Sequence, residues 1–204
     1  MTDYKQIRKE RTRESIKEAA LELAREEGWG GVTIRKIADR IHYTAPIVYE
    51  HFRNKDHLYE QLVKDGHQRL SDEITAADDL EMNAEERLLR FAEVRYDFAT
   101  GNPTLHHMMF DADNPDWQRL ELARSLVAMK QKLDELMLEI SGDKDKVDEY
   151  TFNMICLIKG YTYFTNHFLK FKKKIKDALP IQKLSSKELF QDAIKRFIQS
   201  IKQS

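Results

Sequence analysis

The 204-residue chain predicts an all-α fold of about nine helices: an N-terminal three-helix unit, then a larger helical domain. Three observations carry that expectation. Apolar residues recur at i, i+3, i+4 and i+7 through most of the chain. Capping and stop residues cut these periodic stretches into helix-sized lengths. No alternating apolar–polar run of useful length signals a strand, and no internal repeat is visible.

Each element follows from its own residues. The first helix is expected over about 12–27, with Ile16, Ala19, Ala20, Leu23 and Ala24 on one face. Gly28 suits a left-handed stop with Trp29 folding back behind it. Thr33 and Thr44 stand as N-caps of two short helices. The second of these carries Pro46 in its first turn, where no N–H partner is lost. Asn54 caps a fourth helix over about 55–76, with Leu58, Leu62 and Leu70 along it. After the acidic break AADDLEMN, Asn83 starts a helix carrying Leu88, Leu89, Ala92, Tyr96 and Ala99, and Gly101-Asn102-Pro103 ends it. A short helix, LHHMMFDA, follows. Asn114-Pro115 opens a long helix through about Ile140, which Ser141-Gly142 closes. Another runs from near Asp145 past Phe168 into the lysine-rich stretch 170–176, and Pro180 breaks the chain. Ser185 with Glu188 forms a capping box for a last helix bearing Leu189, Phe190, Ala193, Ile194, Phe197 and Ile201.

The chemistry concentrates in residues 33–55, TIRKIADRIHYTAPIVYEHFRNK. Ile34, Ile37, Ala38 and Ile41 make one buried face, and Ala38 is small where a second helix must cross closely. Ile47, Val48 and Phe52 face inward from that second helix. Ala45, Pro46, Tyr49, Glu50 and His51 are left outward. Lys55 stands in the first turn of the next helix, against the helix dipole. A phosphate there would reverse the sign, since backbone N–H groups and the lysine would both point at it. The alternative is a solvated lysine whose charge Asp56 partly offsets. Two packed helices with an exposed Tyr-x-His and this lysine have the layout of a helix-turn-helix that reads DNA.

From about Arg11 to Leu62 the chain resembles the DNA-binding domain of the TetR (tetracycline repressor) family of bacterial transcriptional regulators. The matching pieces are IKEAALELAREEGWGGVTIRKIA and IVYEHFRNKDHLYEQL. The resemblance implies that Thr33, Thr44, Tyr49, His51 and Lys55 hold phosphates of double-stranded operator DNA. It implies that Arg35, Ala45 and Pro46 lie at or near base edges. It also implies a division into a helix-turn-helix DNA-binding domain, 1–54, and an effector-binding and dimerisation domain, 55–204. The chain departs from the family in two places. Ile41-His42-Tyr43 replaces the usual Ala-Gly-Val turn, so His42 is expected to carry about 1 kcal/mol of strain at positive φ. Glu50 stands where an aromatic is common and would repel phosphates.

The helix from Val147 to Phe168 is apolar on almost every side, which implies burial on more than one face. A second subunit would cover the extra face, and burial within one chain is the alternative. TetR-like proteins dimerise through their last two helices. A homodimer interface is therefore expected at Leu157, Gly160, Phe164, Phe190, Ile194, Phe197 and Ile201. The segment YDFATGNPTLHHMMF is similar to the middle of one TetR subgroup's regulatory domain. Candidate effector-pocket residues are Phe91, Phe98, Met108, Phe110, Trp117, Met129, Met154, Tyr161 and His167. Aromatics and methionines make adaptable linings. At helical spacing the same residues also serve as plain core. No buried acid or base stands out, so the expected effector is a small, largely apolar molecule.

Composition narrows the alternatives. A net charge of −1 confines any basic patch to the helix-turn-helix and the N-terminal cluster Lys5, Arg8, Lys9, Arg11 and Arg13. A disordered solubilising tail is the other reading of that cluster. One cysteine excludes an intrachain disulfide and suits a reducing cytoplasm. No apolar run would span a bilayer, and the start lacks the apolar core of a secretory signal, so a cytoplasmic, membrane-free protein is expected. His106 and His107 diverge by about 100° on a helix and do not clamp one ion from one face. There is no HExxH, cysteine pair, Gly-rich phosphate loop or nucleophile motif, so no enzyme, metal or cofactor is expected. The expected function is a homodimeric repressor released from a near-palindromic operator by its effector. An activator or a regulator controlled by a partner protein is the alternative, and an all-α enzyme or metal protein is a remoter one.

Overall fold

A computed structural model of the chain describes residues 2–110, 120–168 and 185–203. Among them stand nine α-helices and no strand. They are α1 (Thr2–Glu27), α2 (Ile34–Arg40), α3 (Ala45–His51), α4 (Lys55–Ala77), α5 (Ala84–Gly101), α6 (Pro103–Phe110), α7 (Leu120–Ser141), α8 (Val147–Phe168) and α9 (Ser186–Lys202). The all-α expectation holds. No helix among the described residues is long and apolar enough to cross a membrane.

The caps explain most boundaries. Thr33 accepts from the Lys36 N–H, and Asn54 Oδ1 accepts from the His57 N–H at 2.8 Å. Asn83 with Glu86 and Ser185 with Glu188 form complete, reciprocal capping boxes. Two boundaries differ from expectation. The first helix begins at Thr2, so the basic N-terminal cluster is helical rather than a disordered tail. Gly28 has φ 75° but ψ 162°, an extended backbone open essentially to glycine alone, not the left-handed helical stop expected. The Asn114-Pro115 signal, the lysine-rich stretch 170–176 and Pro180 lie outside the described residues.

The chain divides into two compact units, Met1–Gly66 with Thr104–Asp116, and His67–Pro103 with Trp117–Ser204. In the first, Ile16, Ala19, Ala20, Leu23 and Ala24 of α1 are all buried, as their spacing predicted. They join Val32, Ile34, Ile37, Ala38, Val48, Phe52, Leu58 and Leu62 in one core. At about 1.5–3 kcal/mol for each fully buried large side chain, this core is what holds α2 and α3 in register. Ile41 and Ile47 are only half-buried. On α4, a Cβ added at Gly66 would lie 2.7 Å from Met109 Sδ, so a larger residue there would require the Met109 side chain to shift.

The second unit packs α5, α7, α8 and α9 around Leu88, Phe91, Phe98, Leu133, Leu136, Met137, Met154, Ile158, Phe190 and Ile194. Tyr96 stacks on Phe190 at 4.6 Å, and its hydroxyl hydrogen-bonds the buried Thr165 hydroxyl at 3.1 Å. Asp78 accepts two bonds from the Arg87 guanidinium and pairs with Lys132. These hydrogen bonds, Arg87's first, hold its carboxyl below the ordinary range.

Candidate nucleic-acid interface

Two short helices need firm ends, and α2 has both. Thr33 closes its start. At its finish the Tyr43 N–H donates to Ala38 O (2.9 Å) and the His42 N–H to Asp39 O (3.3 Å). This paired pattern is a Schellman stop, which places one residue in the left-handed region. That residue is His42, with φ 57°, in a role glycine usually fills. The strain expected from the sequence is present, at about 1 kcal/mol.

Lys36 and Arg40, the other cations of α2, turn back toward α1. Lys36 pairs with Glu27 and donates to Gly31 O, while Arg40 is held by Glu22 and Glu26. Arg35 is exposed and makes no ion pair among the described residues. The fold therefore separates two clamping cations from one that is open to a ligand.

Helix α3 buries Val48 and presents the opposite side. Tyr49 is 54% exposed; Pro46 and Glu50 are exposed, and Ala45 and His51 half-buried. Thr44 occupies the N-cap position, but its side chain makes no capping bond, contrary to the cap expected. Its hydroxyl is thus not held by its own helix.

Arg13 fixes the other end of α3. Its guanidinium lies 4.6 Å over the Phe52 ring and donates to His51 O at 3.3 Å and Gln61 Oε1 at 3.0 Å. Counted among the basic cluster, it is instead a strut joining α1, α3 and α4. The His51 imidazole is pushed below its ordinary pKa by partial burial, then by the positive charges of Lys9 and Arg13. Its ring is biased toward the neutral form until an anion arrives.

Lys55 corrects the reading that only an anion would favour a cation there. Its ammonium donates to Trp29 O at 2.7 Å and lies 5.3 Å from the Trp29 ring centre, with Gly30 O at 3.4 Å. The carbonyls that end the turn after α1 supply the negative partner. Trp29 also packs against Tyr59, ring centres 5.1 Å apart, so the lysine closes a small aromatic cluster.

A family model for bacterial regulatory proteins of the tetR family matches residues 16–62, the span that carries this geometry. By this match, residues 16–62 belong to the TetR family. Their α2–α3 pair is the helix-turn-helix of a DNA-binding transcriptional regulator. The whole fold agrees. Over 93% of this chain and 96% of the other, it is similar to a bacterial regulatory protein in the tetR family from Rhodococcus, at 16% identity and TM-score 0.68. It is similar to the fatty acid degradation regulator FadR from Bacillus halodurans at 17% identity and TM-score 0.64, covering 93% of each chain. The TetR-family regulator PfmR from Thermus thermophilus is 15% identical, with TM-score 0.62 over 90% of this chain and 97% of that one. Comparison with curated proteins gives no match.

The remaining candidates scatter. Met108 and Phe110 belong to the first unit, where the Met108 carbonyl accepts from the Tyr59 hydroxyl. Phe91, Phe98, Met129 and Met154 are buried in the second unit, and Tyr161 is half-buried against Phe190. His167 is exposed and stacked on Tyr163, so it lines no interior of its unit. Trp117 lies outside the described residues. The sequence singled out no buried base, yet Arg95 is half-buried with its Nε enclosed. Burial pulls its guanidinium down to about 10, 5.8 Å from the Phe91 ring and with Met129 Sδ at 3.7 Å.

Of the interface candidates, Phe190, Ile194 and Ile201 are buried within the chain itself. Leu157 and Phe197 are half-buried; Gly160 and Phe164 are exposed. Phe152 (66% exposed) and Tyr163 (67%) were not among those candidates, although with Cys156 and Gly160 they follow one exposed stripe of α8. The helical spacing 152, 156, 160, 163 was the available signal. No group of three or more His, Cys, Asp or Glu side chains placed to hold a metal is found among the described residues.

Proposed function

We propose that this regulator is a cytoplasmic homodimeric repressor that leaves a near-palindromic operator when a small, largely apolar effector binds. The observation that carries the reading is α3: a short helix anchored by its buried Val48 and by Arg13 at its C-terminal end, whose outward side, Pro46, Tyr49 and His51, has no role in the core. Thr33, Thr44, Tyr49, His51 and Lys55 are assigned to phosphates, and Arg35, Ala45 and Pro46 to base edges. Residues 1–54 serve the DNA, and 55–204 the effector and the partner. The α8 stripe of Phe152, Cys156, Gly160 and Tyr163, with Phe164 beside it, is the surface a second copy covers. A Cβ built on Gly160 meets open space within the protomer, leaving room there for a partner helix. Phe91, Met129, Met154 and Tyr161 supply the apolar lining.

Two readers on a twofold axis would meet successive major grooves about 34 Å apart. Helix α4, continuous from Lys55 to Ala77, is the covalent path by which effector occupancy changes that spacing. A ligand favouring the non-binding form by a few kcal/mol suffices. The test is a gel shift with the region upstream of the protein's own gene, repeated with apolar small molecules. Retarded DNA that a ligand releases supports the reading; a monomer that retards no duplex overturns it.

A further inference from the structure

Helix α1 is longer than its core requires. Thr12 is the first buried residue, and residues 4–11 are all exposed. Lys5, Arg8 and Lys9 nevertheless continue the line of Thr12 and Ile16 at helical spacing, while Glu10 and Glu14 lie on the opposite side. The basic side of this extension is therefore the side that looks along the unit's inner face. Farther along the helix, Arg13 grips the C-terminal end of α3 through the His51 carbonyl and the Phe52 ring. The positive field of Lys9 reaches the His51 imidazole. The extension thus starts beside the end of the reading helix.

Charge partners sharpen the point. Lys36 and Arg40 are neutralised by Glu27, Glu22 and Glu26. Lys5, Arg8 and Lys9 have no ion pair among the described residues. Like charges three and four residues apart on a helix destabilise it slightly, by about 0.2–0.5 kcal/mol per pair. A polyanion laid along them removes that cost.

We propose that the first turns of α1 form a second, sequence-independent DNA surface, in which Lys5, Arg8 and Lys9 bind phosphates flanking the site read by α3. The extension is about 15 Å long at 1.5 Å per residue. That matches about four to five base pairs, with phosphates spaced 3.4 Å along each strand. The inference rests on the DNA-reading role of α3 and adds to it a longer footprint on each side.

The experiment compares the full chain with a Lys5→Gln, Arg8→Gln, Lys9→Gln variant on two duplexes. One is the shortest duplex the wild type retards, and the other is the same site extended by about five base pairs at each end, the length set by the spacing above. Affinity is measured by anisotropy from 50 to 200 mM salt. Each phosphate contact contributes about 0.9 to the log–log salt slope. The wild type should bind the longer duplex more tightly, with a slope steeper by up to about 2.7 per bound chain. That is roughly a forty-fold difference in affinity lost across this salt range. The variant should show neither gain, and Lys5→Arg, Arg8→Lys, Lys9→Arg should restore both. Equal slopes and an equal gain in variant and wild type would overturn the proposal while leaving α3 as the reader. A wild type that binds neither duplex would overturn both.

Discussion

Replacing Lys55 by methionine separates two roles that one residue combines. Methionine keeps an unbranched apolar stem against Trp29 and removes only the ammonium. The structure gives that ammonium one good charged hydrogen bond, 2.7 Å to Trp29 O, and a ring contact at 5.3 Å. The bond to Gly30 O at 3.4 Å is too long to count for much. A charged hydrogen bond contributes about 1.5 kcal/mol at the lower end, and a half-exposed cation–π contact about 0.5. Releasing the lysine from one conformation offsets part of this, leaving about 1–1.5 kcal/mol. For a chain of this size that is a fall of roughly 3–5 °C in melting temperature. If Lys55 also holds a phosphate, the salt slope of DNA binding falls by about 0.9 per chain as well. Thermal unfolding followed by circular dichroism reads the first effect, and anisotropy on operator DNA the second. An unchanged melting temperature would refute the carbonyl anchor. An unchanged slope would refute the phosphate contact, whatever happens to stability.

Other expectations follow from the same geometry. The free protein holds the His51 pKa below 6.5, through burial and then Lys9 and Arg13, against smaller opposing effects of Glu50 and Glu10. A phosphate raises it again, so DNA affinity should climb as pH falls from 8 through 6.5. His51→Gln should flatten that climb; equal pH profiles would remove His51 from the interface. His42→Gly relieves a positive φ and should stabilise the protein by about 0.5–1 kcal/mol in urea unfolding. A loss of stability would mean that the histidine side chain contributes something the strain argument omits. Tyr163→Glu puts a charge in the exposed α8 stripe and should convert dimer to monomer in sedimentation without altering helix content. A dimer of wild-type affinity would place the partner elsewhere. Below pH 3.8 the Asp78 carboxylate, whose pKa is lowered chiefly by Arg87, should lose its stabilising contribution progressively. Asp78→Asn should therefore be less stable than wild type at pH 7, and the gap should close toward the acid limb of a pH–stability curve.

Periodicity and caps were enough for the fold, because a helix's inner face and its end residues are local properties. The buried set of α1, the Asn83 and Ser185 capping boxes and the split between the two faces of α3 all read directly from spacing. What spacing does not carry is which of two available partners a side chain meets. Lys55 looked like an anion site because the carbonyls of Trp29 and Gly30 are brought to it by tertiary packing, 25 residues or more away in sequence. Arg13 looked like one more surface cation for the same reason. In the last helix, Phe190, Ile194 and Ile201 have the right type for an interface and the right spacing for a core, and only the docking of α9 against α5 and α8 decides between them. Arg95 was invisible for a related reason: a lone arginine within an amphipathic helix reads as exposed until its neighbours close over it.

The most direct test of the central claim, that Tyr49, His51 and the start of α3 face a DNA duplex, is selection from a random-sequence duplex pool by the purified full chain. Enrichment of one near-palindrome whose half-sites lie about one helical turn apart is the expected result. A pool that emerges with no preferred sequence, or whose recovery is unaffected when Tyr49 and His51 are both replaced by alanine, would contradict it.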